Sequence, residues 1–287
     1  MGYREWIRRL ERRGDLLRDG DPISKYLQIC GELKKLEPGA ALFDVVQESE
    51  FRVAGNLFPS KAAFAEYFGI PVSEIIPFLA GAIEKRSTPQ VVREAPCQEV
   101  VMDEPDLDKV PILRHLESDG GNYITSGVFV AGHPEHGQNL DFHRCMQFSP
   151  TGMAVRVVKG RNFDAFLQDL GEVDVAVCVG VPPNVLAAGA TSVAIGVDEL
   201  EIANAMEPLQ VVRALTTDLL VPAESEFVLE GTVYRDRRHA EGPFVDLTET
   251  HDVVRQEPVL EIKAISHRTD AIWHALLPGG LEHKLLM

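Results

Sequence analysis

The sequence predicts an α+β fold: a small N-terminal α/β domain of alternating helices and short strands, followed by a larger β-rich domain. Three observations carry that prediction. Near the start, Tyr3, Trp6, Ile7 and Leu10 recur at helical spacing among Arg4, Arg8, Arg9, Arg12 and Arg13, the pattern of an amphipathic helix with a buried apolar stripe and a solvated basic face. From residue 123 onward β-branched residues gather in runs over 123–131, 153–158, 173–180, 226–234 and 259–266, and several such runs in one stretch point to a barrel or sandwich. With 287 residues, 45% of them hydrophobic and 25% charged, the chain is long enough to bury two cores.

After the opening helix, residues 43–46 and 51–57 read as short strands, the second closing at Pro59-Ser60. Ser60 is placed to cap a helix reaching Phe68, and Ser73 to cap another over 74–85, because a serine hydroxyl accepts from the free N–H groups of a first helical turn. Residues 91–111 turn acidic and are broken by Pro105 and Pro111, which reads as linker punctuation. The expected domains are therefore 1–110 and 111–277. Two helices interrupt the strands of the second: Phe163, Phe166, Leu167 and Leu170 form one stripe, and Ile202, Ala205 and Met206 begin another after the N-cap Asp198. No internal repeat or low-complexity tract occurs. In residues 278–287 a further helical pattern is just starting.

A formal net charge of −16 argues against nucleic acid or an anionic membrane as the main partner, since phosphate backbones demand clustered Lys and Arg. Cys30, Cys97, Cys145 and Cys178 show neither zinc spacing nor a compact secreted framework, which fits a reducing cytoplasm. No apolar run approaches the roughly 18 to 20 residues that span a bilayer.

Three segments could carry chemistry. Glu241-Gly242-Pro243-Phe244-Val245-Asp246 sets two acids five residues apart across a Gly-Pro turn. Such a turn can aim both into one cavity, where neighbouring carboxylates raise each other's proton affinity; a solvated turn between strands is the plainer reading. In Asn139-Leu140-Asp141-Phe142-His143-Arg144, a strand would put Asn139, Asp141 and His143 on one face and Arg144 on the other. Arg144 suits a carboxylate, which a guanidinium fork pairs in bidentate fashion, although a surface arginine would look the same; His143 reads as structural or exposed. Glu199 and Glu201 sit at a helix start, where they complement the positive end of the dipole. They could equally hold Mg²⁺ or Mn²⁺ through oxygen.

Taken in order, these segments resemble the UbiD-like family of prenylated-FMN-dependent (de)carboxylases. So do Val53-Ala54-Gly55-Asn56-Leu57-Phe58-Pro59-Ser60, Asp119-Gly120-Gly121-Asn122-Tyr123-Ile124-Thr125, Val221-Pro222-Ala223-Glu224-Ser225-Glu226-Phe227-Val228-Leu229-Glu230-Gly231 and Thr269-Asp270-Ala271-Ile272-Trp273-His274. The resemblance implies an N-terminal α/β domain and a split β-barrel like that of flavin reductases, which holds prenylated FMN. A C-terminal oligomerisation domain normally follows, and residues 278–287 would be its beginning. It implies Arg144, Glu241 and Asp246 as the catalytic set, with Asn139, Phe142, His143, Arg144, Arg156, Arg161 and Glu199 around the cofactor. The flavin phosphate would be held through a divalent metal, Mn or Mg, with potassium nearby, on Asn139 and Glu199. Where the family has a third ligand, a histidine, this sequence has Gly160-Arg161-Asn162, so Asn162 would have to supply that ligand oxygen. The function implied is reversible, non-oxidative decarboxylation of an α,β-unsaturated or aromatic carboxylic acid by a cytoplasmic homo-oligomer, dimer or hexamer, with a flavin prenyltransferase supplying the cofactor. The alternatives are a flavin-phosphate-binding module without decarboxylase activity and, more weakly, an ordinary flavin reductase.

Overall fold

The computed structural model describes residues 2–286. It opens with the helix Tyr3–Arg13, whose Tyr3, Trp6, Ile7 and Leu10 are buried. Most of its arginines face solvent, but Arg4 does not belong to that face. It lies 2.7 Å from each carboxylate oxygen of the fully buried Glu226, because a buried acid needs a charged donor to offset its lost hydration.

A four-stranded sheet follows the order Leu16–Asp19, Ala40–Phe43, Arg52–Gly55, Ile272–Ala275. The two strands expected at 43–46 and 51–57 therefore exist, with the first running earlier and the second shorter. Its fourth strand arrives from the far end of the sequence and pairs in parallel with Arg52–Gly55. Ser60 caps the helix Lys61–Phe68 by accepting from the Ala63 N–H. Ser73 caps nothing: it lies inside a short 3-10 turn, Val72–Glu74, that runs directly into the helix Ile75–Glu84.

The main sheet holds nine strands and curls into a half-barrel. Along its path lie Asn122–Ile124, Cys145–Gln147, Gly152–Val155, Arg255–His267, Phe227–Glu241, Glu172–Val179, Val128–His133 and Gly137–Phe142, with Val100–Val101 pairing to the side of Arg255–His267. The run expected over 123–131 is thus two strands in different parts of the sheet. The region read as a linker is also built in: Leu107, Val110 and Ile112 are fully buried, and Gln90–Val92 pairs with Gln210–Arg213. Its prolines mark turns in packed chain rather than a tether. The helices Asn162–Leu170 and Glu199–Met206 lie close to their expected places, the second capped by Asp198, which accepts from the Leu200 N–H. A short helix, Leu281–Leu286, ends the described chain.

One feature of this path positions the site. Gly137–Phe142 lies at one end of the curled sheet and Cys145–Gln147 beside the other end, yet only His143 and Arg144 separate them in sequence. The curl brings the two ends together, and those two residues bridge the seam.

Candidate functional site

Arg144 at the seam meets Glu241 at the end of the long strand Phe227–Glu241. Its Nε and Nη2 donate to Glu241 Oε1 and Oε2 at 2.9 and 3.0 Å. Glu241 is fully buried and takes a third bond, at 3.0 Å, from the Tyr123 hydroxyl. The guanidinium lies 5.1 Å from the Phe244 ring centroid, a cation–π arrangement that adds to its fixing. Burial opposes the charge of Arg144, but its carboxylate partners more than compensate and raise its pKa.

The Gly-Pro turn after Glu241 is held by backbone. The Gly120 N–H donates to the Pro243 carbonyl at 2.8 Å, and a Cβ on Gly120 would come within 2.1 Å of the Gly242 oxygen. No side chain fits at that approach. Beyond the turn, Phe244–Val245 forms a small hairpin with His251–Asp252. At its tip, Asp246 Oδ1 accepts from the Thr248 N–H and hydroxyl at 2.9 and 2.5 Å.

A cavity of about 190 Å³ is lined by Arg144, Arg156, Phe142, Phe244, Asp246, Leu247 and His283, among others. Asp246 and Arg144 thus face one space, while Glu241 stands behind Arg144. The two acids of the Gly-Pro turn do not pair with each other: Glu241 bonds to Arg144 and Tyr123, and Asp246 to Thr248. The acid that does share Arg144 with Glu241 is Asp252, at 2.8 Å. Sequence reasoning missed it. The available signal was hairpin register, which sets Asp252 opposite Phe244.

A second cavity, of about 280 Å³, adjoins the first through Phe142 and Val158, which line both. Asn139, Asp141, His143, Arg161, Asn162 and Glu199 surround it together with Thr191 and Ser192. His143 is buried rather than exposed. Its Nδ1 lies 3.1 Å from the Arg156 carbonyl, and its Nε2 lies 2.9 Å from Asp141 Oδ1 without the alignment of a hydrogen bond. Burial disfavours charge on His143, but the Asp141 carboxylate outweighs it and raises the pKa. Arg161 donates to the Ser192 hydroxyl at 3.0 Å, and Asn162 Nδ2 to the Val193 carbonyl at 3.3 Å. Two helices, Asn162–Leu170 and Glu199–Met206, start at this cavity. The positive dipole ends of the two helices favour an anion there, although Asp198 already caps the second.

Whether a divalent cation suits this cavity can be judged from the donors. Glu199 is buried, its Oε2 accepts from the Leu140 N–H at 2.7 Å, and burial pushes its carboxyl up to about 8. The buried Asn139 amide has an Nδ2 without a partner. A buried carboxyl lining the same cavity as two side-chain amides is a workable oxygen-donor set for Mg²⁺ or Mn²⁺. It is nevertheless sparse, since no group of three His, Cys, Asp or Glu side chains converges among the described residues.

The half-barrel, its seam and the two joined cavities define the class: the fold is that of UbiD-class enzymes. An evolved dimeric form of HmfF from Pelotomaculum thermopropionicum, in complex with prFMN, superposes with a TM-score of 0.96 at 30% identity, covering 99% of this chain and 69% of that one. Residues 7–83 match the family model of the 3-octaprenyl-4-hydroxybenzoate carboxy-lyase N-terminal domain, and residues 90–281 that of the carboxy-lyase Rift-related domain. The chain belongs to the UbiD-like carboxy-lyase family. Among its relatives are anhydromevalonate phosphate decarboxylases. That of Methanosarcina mazei is 36% identical over 100% of this chain and 68% of its own length. That of Methanocaldococcus jannaschii is 37% identical over 93% of this chain and 64% of its own length. The chain thus spans about two thirds of the length of these relatives.

Proposed function

We propose that the protein is a prenylated-FMN-dependent decarboxylase of an α,β-unsaturated or aromatic carboxylic acid. One observation carries this reading: an arginine clamped by a buried glutamate faces a cavity that adjoins a second, at which two helices begin. The second cavity would take the flavin phosphate on Arg161, Ser192 and the two helix starts, with Asn139, Glu199 and Asn162 as ligands for Mn or Mg and potassium nearby. The first, lined by Phe142 and Arg156, would take the substrate. When bound, the prenylated flavin would accept the electrons released as carbon dioxide leaves.

The chain's own groups then have separate tasks. Arg144 holds the substrate carboxylate and Glu241 fixes the plane of that guanidinium. Asp246, whose Oδ2 has no hydrogen-bond partner among the described residues, delivers a proton to the freed carbon from the wall of the same cavity. Phe142, Phe244, Leu247 and Leu276 keep water from the reacting carbon. The relatives named as decarboxylases act on anhydromevalonate phosphate, so a carboxylic acid that also bears a phosphate is the first substrate to test. All four cysteines are free and buried, in keeping with a cytoplasmic location.

The test is co-expression with a flavin prenyltransferase, followed by absorbance, intact mass and carbon dioxide release from a panel of such acids. Bound prenylated flavin with release supports the reading. Bound cofactor with no release from any acid would leave a flavin-phosphate-binding module instead. Size-exclusion chromatography of the same sample tests the proposed dimer or hexamer.

A further inference from the structure

The guanidinium of Arg144 has two edges, and they are used differently. Along the side edge, Nε and Nη2 are both taken by Glu241. On the end edge, Nη2 gives its second hydrogen to Asp252 Oδ2 at 2.8 Å, while Nη1 has no partner among the described residues. A carboxylate arriving from the cavity can form a bidentate pair only with that end edge, and Asp252 holds half of it.

Asp252 is placed for this by the hairpin after the Gly-Pro turn, where it lies in register with Phe244, whose ring packs against the same guanidinium. Its other oxygen is occupied independently. Oδ1 accepts from the Val253 N–H at 2.9 Å and pairs with Arg255 at 2.5 Å. Oδ2 also lies 3.8 Å from Arg156 Nε. If a ligand took Nη2, Asp252 would retain Arg255 and could close on Arg156, so no buried charge would be stranded.

We propose that Asp252 is a positioning residue that orients Arg144 in the free protein and yields Nη2 to the incoming carboxylate. The assignment rests on the decarboxylase reading only for the identity of that carboxylate. Although partial burial works against its charge, pairing with Arg255 and Arg144 keeps the Asp252 carboxyl at about 2, so it stays ionised at neutral pH and competes for Nη2 throughout that range.

The experiment uses the full chain loaded with prenylated flavin, as wild type, Asp252→Asn and Asp252→Glu. Phenylglyoxal labelling at Arg144, followed by peptide mass spectrometry, reads how tightly the guanidinium is held. Calorimetry with crotonate, a small unsaturated acid, reads competition for the end edge. Loss of one charge-assisted bond corresponds to about a tenfold effect. Asp252→Asn is expected to label faster by about that factor and to bind crotonate several-fold more tightly. With any acid that turns over, KM should fall together with kcat. Asp252→Glu should restore slow labelling. Unchanged labelling in Asp252→Asn, or crotonate affinity that stays level or weakens, overturns the proposal. If both shifts occur while the wild type releases no carbon dioxide from any acid, the decarboxylase reading falls and the Asp252 assignment stands.

Discussion

Arg144 has a short neighbour list, and each neighbour has a separable effect. Glu241 is fully buried, so Arg144→Ala strands a carboxylate and, on the proposed reading, also removes the cation that holds the substrate. Glu241→Gln keeps the shape and loses the charge. Both should lower turnover by about a hundredfold or more, with cofactor content retained in the glutamine variant; unchanged turnover in either would remove these residues from the reaction. His115 makes a different prediction. It is buried beside the Phe244 ring, neither ring nitrogen has a hydrogen-bond partner among the described residues although Asp119 Oδ2 lies 3.9 Å from Nδ1, and burial holds its pKa down at about 3 rather than 6.5. Below pH 6.5 the unfolded chain therefore binds a proton that the folded chain refuses, so folding stability falls as pH drops from 6.5 toward 3. The slope from this group is about 1.4 kcal/mol per pH unit. In His115→Leu, urea midpoints measured at pH 7 and pH 5 should lie closer together than in the wild type.

At the scale of elements, the site depends on a turn packed backbone against backbone. Gly120 lies against Gly242 and Pro243, so Gly120→Ala must push the Gly-Pro turn away from the strand Asn122–Ile124. Glu241 and the Phe244–Asp252 hairpin would move with it. The expected result is a soluble protein with turnover reduced at least as strongly as in Glu241→Gln; near-normal turnover would mean the turn has slack that the contact distances deny. The helix cap is a milder case. Ser60→Ala should cost about 1 kcal/mol, read as a lower chemical denaturation midpoint without loss of cofactor, because Ser60 lines neither cavity.

Across the whole molecule, the N-terminal helices and the half-barrel are locked together at buried points. Glu226 receives Arg4 from the first helix and the Ile272 N–H from the strand that completes the N-terminal sheet. Glu282, in the last helix, accepts from the Leu57 and Phe58 N–H groups and lies 3.1 Å from His274 Nε2. Such a lock predicts one cooperative unfolding transition. Glu226→Ala leaves Arg4 with only the Thr269 and Asp270 carbonyls and should lower that transition as a single step, on the order of 3 kcal/mol where such pairs are buried. Two resolved transitions in the wild type would show that the halves unfold separately.

Periodicity in the sequence was enough to place the opening helix, the capped helices after Ser60 and Asp198, and most β-rich runs, because these are set by local spacing and local hydrogen bonds. The motif order was enough to identify the family and nominate Arg144, Glu241, Asp246 and the cavity residues Asn139 and Glu199. It did not reveal Asp252, the burial of Arg4, or the packing of residues 91–111. Those depend on which strands meet when the sheet curls, and a partner brought from a hundred residues away leaves no periodic trace in the chain. The seam is the clearest case: the sequence shows His143 and Arg144 as two residues between short strands, and only closure of the half-barrel sets them across its gap.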